Sequence, residues 1–145
     1  MDMSNREYAD FVAKRAPKSP FALDLLKAFL IGGAICTLGQ LLINLYKMLG
    51  VSEKLQPTLC SVSLVFLGIL FTALGLYDKL ARHAGAGTLV PITGFANSIA
   101  APAIEFKSEG LILGLAAKMF IISGPVIVYG LSASVLYGLI YFLVR

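Results

Sequence analysis

Charge is scarce in this sequence. Asp, Glu, Lys and Arg make up 14% of its 145 residues, where a soluble domain carries about 25%. Tryptophan is absent, and there are only two cysteines and one histidine. Cys36 and Cys60 form no CxxC pair, and His83 stands alone among loop charges, so neither a metal site nor any other cofactor site is expected. Both cysteines sit in apolar runs and read as small packing residues. With no nucleophile beside a plausible base, enzyme chemistry is not expected. The net charge of +4 lacks the basic stripe interleaved with aromatics that nucleic acid requires, so no nucleic-acid partner is expected.

What is present is apolar. Hydrophobic residues reach 58% and mean hydropathy is +0.85, too little polarity to cover a water-soluble globule. The charges cluster in 2–27, 47–54, 78–82 and 105–118, and four uncharged runs lie between or after them: Ala28–Tyr46, Pro57–Tyr77, Ala84–Ile104 and Met119–Val144. A helix rises about 1.5 Å per residue through a hydrocarbon core of about 30 Å, so the first two runs each match one crossing and the last exceeds it. The expected fold is all-α, a polytopic membrane helical bundle of about four spans (23–46, 57–77, 88–104 and 118–143). It is preceded by a cytoplasmic arm over 1–22, with the membrane domain over 23–145. Residues 1–24 are too polar and too acidic for a secretory leader.

Within the arm, Tyr8–Lys14 predicts one or two helical turns, broken by Ala16-Pro17-Lys18-Ser19-Pro20. In span one, Lys27 lies near the entry. Gln40 and Asn44 are four apart and share a face suited to hydrogen bonding with another helix, or to lining a polar path. In span two, Pro57 suits the first turn, Gly68 and Gly75 suit close packing, and Tyr77 falls where an aromatic belt is expected. Residues 78–87 predict a loop.

The segment 88–110, TLVPITGFANSIAAPAIEFKSEG, departs from a regular span. Pro91, Gly94 and Pro102 predict a broken or re-entrant helix, and Thr93, Asn97 and Ser98 could cap freed helix ends. Broken backbone at membrane depth survives only when buried in protein or lining water, and such breaks mark transport sites. The ordinary alternative is a kinked span. Glu105 and Glu109, four apart with Lys107 between, read as a solvated surface turn or as a charged gate at a pore mouth. Lys118 is a candidate path residue, or a cation snorkelling to the headgroups. Gly124 and Pro125 predict a hinge in the last span.

An internal match accompanies this pattern. A shift of 91 residues sets KAFLIGGAICTLGQLLINLY (27–46) on KMFIISGPVIVYGLSASVLY (118–137), with seven identities in twenty that include Lys27/Lys118, Gly33/Gly124, Gly39/Gly130 and Tyr46/Tyr137. Transporters are often built from such repeats. Basic residues then orient the chain. Four spans put Arg6, Lys14, Arg15, Lys18, Lys27, Lys79, Arg82 and Arg145 on one side and Lys47, Lys54, Lys107 and Lys118 on the other. Eight against four places both termini in the cytoplasm by the positive-inside rule. A re-entrant 88–104 makes the count nine to three and moves the C-terminus outside.

The run GTLVPITGFANSIAAPAIEFKSEGLILGLAAKMFIISGPVIVYG (87–130), with AKRAPKSP (13–20) and KAFLIGGAICTLGQ (27–40), resembles the SpoVA sporulation membrane proteins, in the SpoVAC/SpoVAE family. The resemblance covers nearly the whole chain. It implies a channel or transport subunit in an assembly of the spore inner membrane, where the charge count of the four-span arrangement puts both termini on the spore-core side. That assembly moves dipicolinic acid, as its calcium chelate, during sporulation and germination. It also implies partners: AE-type membrane subunits, a soluble dipicolinate-binding AD protein and a homo- or hetero-oligomer in the lipid bilayer. The residues expected on a transport path or gate are Thr93, Asn97, Ser98, Glu105, Lys107, Glu109 and Lys118. A non-conducting scaffold is the alternative. A proton-coupled exporter ranks last, since no span interior holds a carboxylate.

Overall fold

The computed structural model describes residues 4–15 and 20–144. These residues are helical almost throughout, and the all-α membrane bundle expected from composition is what the chain forms. Helix α1 spans Asn5–Arg15 and extends the expected arm helix at both ends. Its start is a capping box: the Ser4 amide and hydroxyl each donate to Glu7 Oε2 at 2.9 Å, and the Glu7 amide donates to Ser4 Oγ at 3.4 Å. Of the expected break at 16–20, only Pro20 lies within the described residues, as the N-cap of α2.

Helix α2, Phe21–Met48, has 28 residues, about 42 Å of helix at 1.5 Å per residue, so its ends project beyond a core of about 30 Å. A short turn leads to α3, Gln56–Ala73, with Pro57 in its first turn, and the Gln56 side-chain amide closes that turn by donating to the Val51 carbonyl at 2.8 Å. The two helices meet at small residues: Gly39 is buried against Leu64 and Cys60. Tyr46 Oη and Ser63 Oγ hydrogen-bond at 2.6 Å. Gln40 and Asn44, expected to bond another helix, instead bond each other (3.1 Å) on an exposed face. Their spacing of four already lets one amide satisfy the other.

The expected loop at 78–87 is corrected to helix. Gly75 adopts φ +66, a left-handed turn that stops α3. Helix α4, Leu76–Ala84, follows. Its charges, read from sequence as loop markers, form one solvated face. Asp78 sits in the first turn and Arg82 in the last, complementing the helix dipole, and they pair at 2.7 Å. Tyr77 and Ala84, seven apart, are buried on the opposite face. Tyr77 is therefore no belt residue.

The broken third segment is also seen. A single turn, α5 (Ala86–Leu89), ends before Pro91, whose ψ of 160 is extended, and α6 (Ile92–Glu105) begins after it. At 14 residues, α6 is about 21 Å long and cannot cross the core alone. The break is at Pro91 only: α6 runs through Gly94 and Pro102, and the last helix runs through Gly124 and Pro125. A 3-10 turn at Lys107–Glu109 and a π-helical stretch at Leu111–Ala116 lead into α7, Ala117–Val144. Among the described residues three helical stretches are long and apolar enough to cross a membrane: Phe21–Met48, Gln56–Ala73 and Leu111–Val144.

The direction of α6 follows from its contacts on α3. Gly68 faces Thr93 and Ala96, and four residues further along both helices Thr72 meets Asn97. The two helices therefore run the same way. The end of α6 (Ile104, Glu105) accordingly borders the same recess as Asp78 and Ala81 of α4, the helix that follows the end of α3. The chain leaves α4 through α5, turns at Pro91 and comes back to the level of α4.

Candidate transport site

Glycine makes the hairpin of α5 and α6 possible. A Cβ on Gly87 would overlap the backbone of Ala28, so only glycine lets α5 lie directly on α2. Gly68 plays the same part for α6 on α3, where a Cβ would stand 3.0 Å from the Thr93 carbonyl oxygen.

Two polar clusters pin this hairpin. In the first, Tyr77, 3% exposed, shares its hydroxyl proton between the Thr88 carbonyl (2.8 Å) and Thr93 Oγ1 (3.1 Å). Thr88 in turn donates to the Gly85 carbonyl at 3.1 Å. In the second, Thr72 Oγ1 donates to the Gly68 carbonyl (2.7 Å) and shares its proton with Asn97 Oδ1 (2.8 Å). Among the described residues, no buried side-chain polar atom is left without a partner, as an apolar surrounding demands.

These bonds correct one expectation. Thr93, Asn97 and Ser98 do not cap helix ends. The N-terminus of α6 has no side-chain cap, Thr93 and Asn97 are held by the clusters above, and Ser98 donates to the Phe95 carbonyl at 2.7 Å. Short hydroxyl side chains inside a helix find a nearby carbonyl before they find a distant end.

Five of the seven candidate path residues fall in three places. Asn97, with Thr72, Asp78, Ala101, Ile104 and Glu105, lines a recess of about 270 Å3. Lys118, with Pro102, Glu105, Phe106, Ile121 and Ile122, lines an adjacent one of about 280 Å3. Glu105 stands between the two. Lys118 Nζ lies 4.6 Å above the Phe106 ring, a cation–π contact joining the end of α6 to the start of α7. Lys107 and Glu109 are exposed in the turn beyond. Because α6 ends at Glu105, the expected shared helical face of Glu105 and Glu109 does not form. Thr93 and Ser98 line neither recess. Ser123, on the α7 face turned to the bundle, is buried and donates to the Met119 carbonyl at 2.6 Å.

Sequence reading missed Tyr77, Thr88 and Thr72. The signal for Tyr77 was the spacing of 77, 80, 81 and 84, an apolar helical stripe inside the apparent loop. Thr72 and Thr88 carry no such signal, since their partners are distant in the chain. Among the described residues no group of three or more His, Cys, Asp and Glu gathers as for a metal ion.

Three apolar helices of crossing length, enclosing a broken and polar-pinned internal segment, define a polytopic helical membrane protein. The family model described as SpoVAC/SpoVAEB sporulation membrane protein matches residues 24–140. The chain is 44% identical over 136 residues to the stage V sporulation protein AC of Bacillus subtilis (strain 168), covering 93% of this chain and 91% of that one. This chain belongs to the SpoVAC/SpoVAEB family of sporulation membrane proteins. No solved structure gives a significant match.

Proposed function

We propose that this chain is a non-enzymatic channel or transport subunit of the assembly that moves dipicolinic acid, as its calcium chelate, across the spore inner membrane during sporulation and germination. Family membership supports the setting. The observation that carries the transport reading is the Thr72–Asn97 pair, which puts an amide on the wall of a recess ending at Glu105, inside an otherwise apolar bundle. Polar side chains facing a cavity within a membrane bundle mark solute pathways. Asp78 and Glu105 on this recess disfavour an anion resting there alone, so a dianion travelling with calcium suits the site better than a bare one. A chain of this size does not enclose a route for a ring-sized solute, so AE-type subunits or further copies complete it, with an AD-type protein supplying dipicolinate.

The parallel run of α3 and α6 supports the re-entrant topology. The N-terminus then faces the spore core and the C-terminus the opposite side, with nine basic residues against three. This differs from the arrangement with both termini inside.

The scaffold reading draws on Thr88 and Thr93, which are buried and bonded within the chain and offer nothing to a solute. Spores carrying Asn97→Ala separate the readings when dipicolinate and membrane levels of the protein are assayed together. Low dipicolinate with normal protein is the expected result. Parallel loss of both would favour the scaffold, and normal dipicolinate would remove Asn97 from the path.

A further inference from the structure

Helix α6 packs on α3 along one side and on α7 along another. Between those two flanking helices lies a recess of about 380 Å3, separate from the two beside Glu105. Val65 and Ile69 of α3 form one wall and Met119 of α7 the other, while Phe95, Ile99 and Ala103 of α6 lie along the floor. Every side chain that lines it is apolar. Ile69 and Ile104, at its rim, are 44% and 49% exposed, so the recess opens sideways from the bundle.

Its length and level are those of one leaflet. Phe95 and Ile104 mark its ends along α6, about 14 Å apart at 1.5 Å per residue, which is half of a core about 30 Å thick. One end reaches the charged level. Ile104 and Met119 adjoin Glu105 and Lys118 in the chain, and Lys107 and Glu109 are exposed in the turn beyond. The other end stops short of Pro91, where α6 begins.

We propose that this recess binds one phospholipid, its acyl chain lying along α6 between α3 and α7. Water needs about two to four polar partners in such a space, and this lining offers no polar side chain. A charged solute is disfavoured there for the same reason. A helix of another subunit crosses the whole core, whereas the recess covers half of it. An acyl chain has the right length and chemistry, and the bilayer supplies it. Left empty, the recess would deprive its lining of contact atoms, and helices in lipid have no hydrophobic drive to close over it. At the charged end, Lys107 and Lys118 offer cations to the phosphate, the group that phospholipids share. Glu105 and Glu109 balance them, so the site selects the chain and the phosphate rather than a net head-group charge. The inference is independent of the transported solute.

The test uses the full-length chain in vesicles of phosphatidylethanolamine and phosphatidylglycerol, each carrying a diazirine midway along one acyl chain. The protein is transferred to detergent, which strips lipid from open faces, and is then irradiated. Mass spectrometry maps the labelled residues. Label is expected on Ile69, Ile99 or Met119 at on the order of ten times the yield on Leu26 and Leu30, the difference that about ten extra atom contacts make. Leu26 and Leu30 are the comparison because they are apolar and 53% and 59% exposed on α2. Equal labelling of the two groups, or no label in the recess, would overturn the proposal. Ala103→Phe sets a ring in the recess and is expected to lower the label on Ile69 and Met119 on the order of tenfold, while Leu30→Phe leaves it as in wild type. Undiminished label in folded Ala103→Phe protein would also overturn it, and the wild-type map decides the matter even where that variant does not fold.

Discussion

At the scale of single residues, Tyr77 governs the most, because one phenol holds both sides of the Pro91 break. Tyr77→Phe keeps the ring's packing and removes the proton shared by the Thr88 carbonyl and Thr93 Oγ1. Orphaned buried acceptors cost about 1–3 kcal/mol, so the purified protein in detergent should melt measurably lower than wild type. Thr72→Val should cost less, about 0.6 kcal/mol, the mean for interhelical hydrogen bonds in a membrane. In the arm, the Ser4 backbone amide, and then its hydroxyl, hold the Glu7 carboxyl below the ordinary glutamate range. A depressed pKa means that the capping contribution is fully present above the unfolded-chain value and lost as pH falls through the lower folded one. The protection of the α1 amides, measured by hydrogen exchange relative to the intrinsic rate at each pH, should therefore fall on acidification through that window. In Glu7→Gln this pH dependence should disappear.

At the scale of elements, the joints between helices depend on atoms that glycine omits. Gly87→Ala places a methyl group against the Ala28 backbone, and overpacking of this kind costs typically about 1–3 kcal/mol. Gly33→Ala, where a Cβ meets nothing within 4 Å, is the matched control and should melt no lower than wild type, since alanine favours the helix. Helix α4 also shows where reading from sequence fell short. Its charges looked like a loop because they were counted rather than placed around a helix; Asp78 and Arg82 are in fact one solvated pair. That pair is exposed, so Arg82→Gln should shift the melting point little. The apolar runs were read correctly as helices because lipid imposes the same demand all along them: every backbone group must be bonded within the segment.

At the scale of the whole molecule, the fate of the third segment decides topology. If α5 and α6 return to the side of α4, a cysteine placed near the C-terminus should react with a membrane-impermeant reagent from the face opposite to one placed in the arm. Labelling of both from one face would restore the four-span arrangement. The long uncharged runs of a chain that is 58% hydrophobic put it in lipid, and their length without apolar–polar alternation selects helices over the closed barrel, the other backbone solution there. The sequence offered Pro91, Gly94 and Pro102 alike as the break, since each acts on the backbone within a few residues, and the structure breaks at Pro91 while α6 runs through the other two. Which residues meet across the break was a different matter. Thr72 with Asn97, Tyr77 with Thr88, and Glu105 beside Asp78 are partnerships between segments far apart in the chain. They arise from how closely Gly68 and Gly87 let helices approach, and that is a property of packed surfaces rather than of any one stretch of sequence.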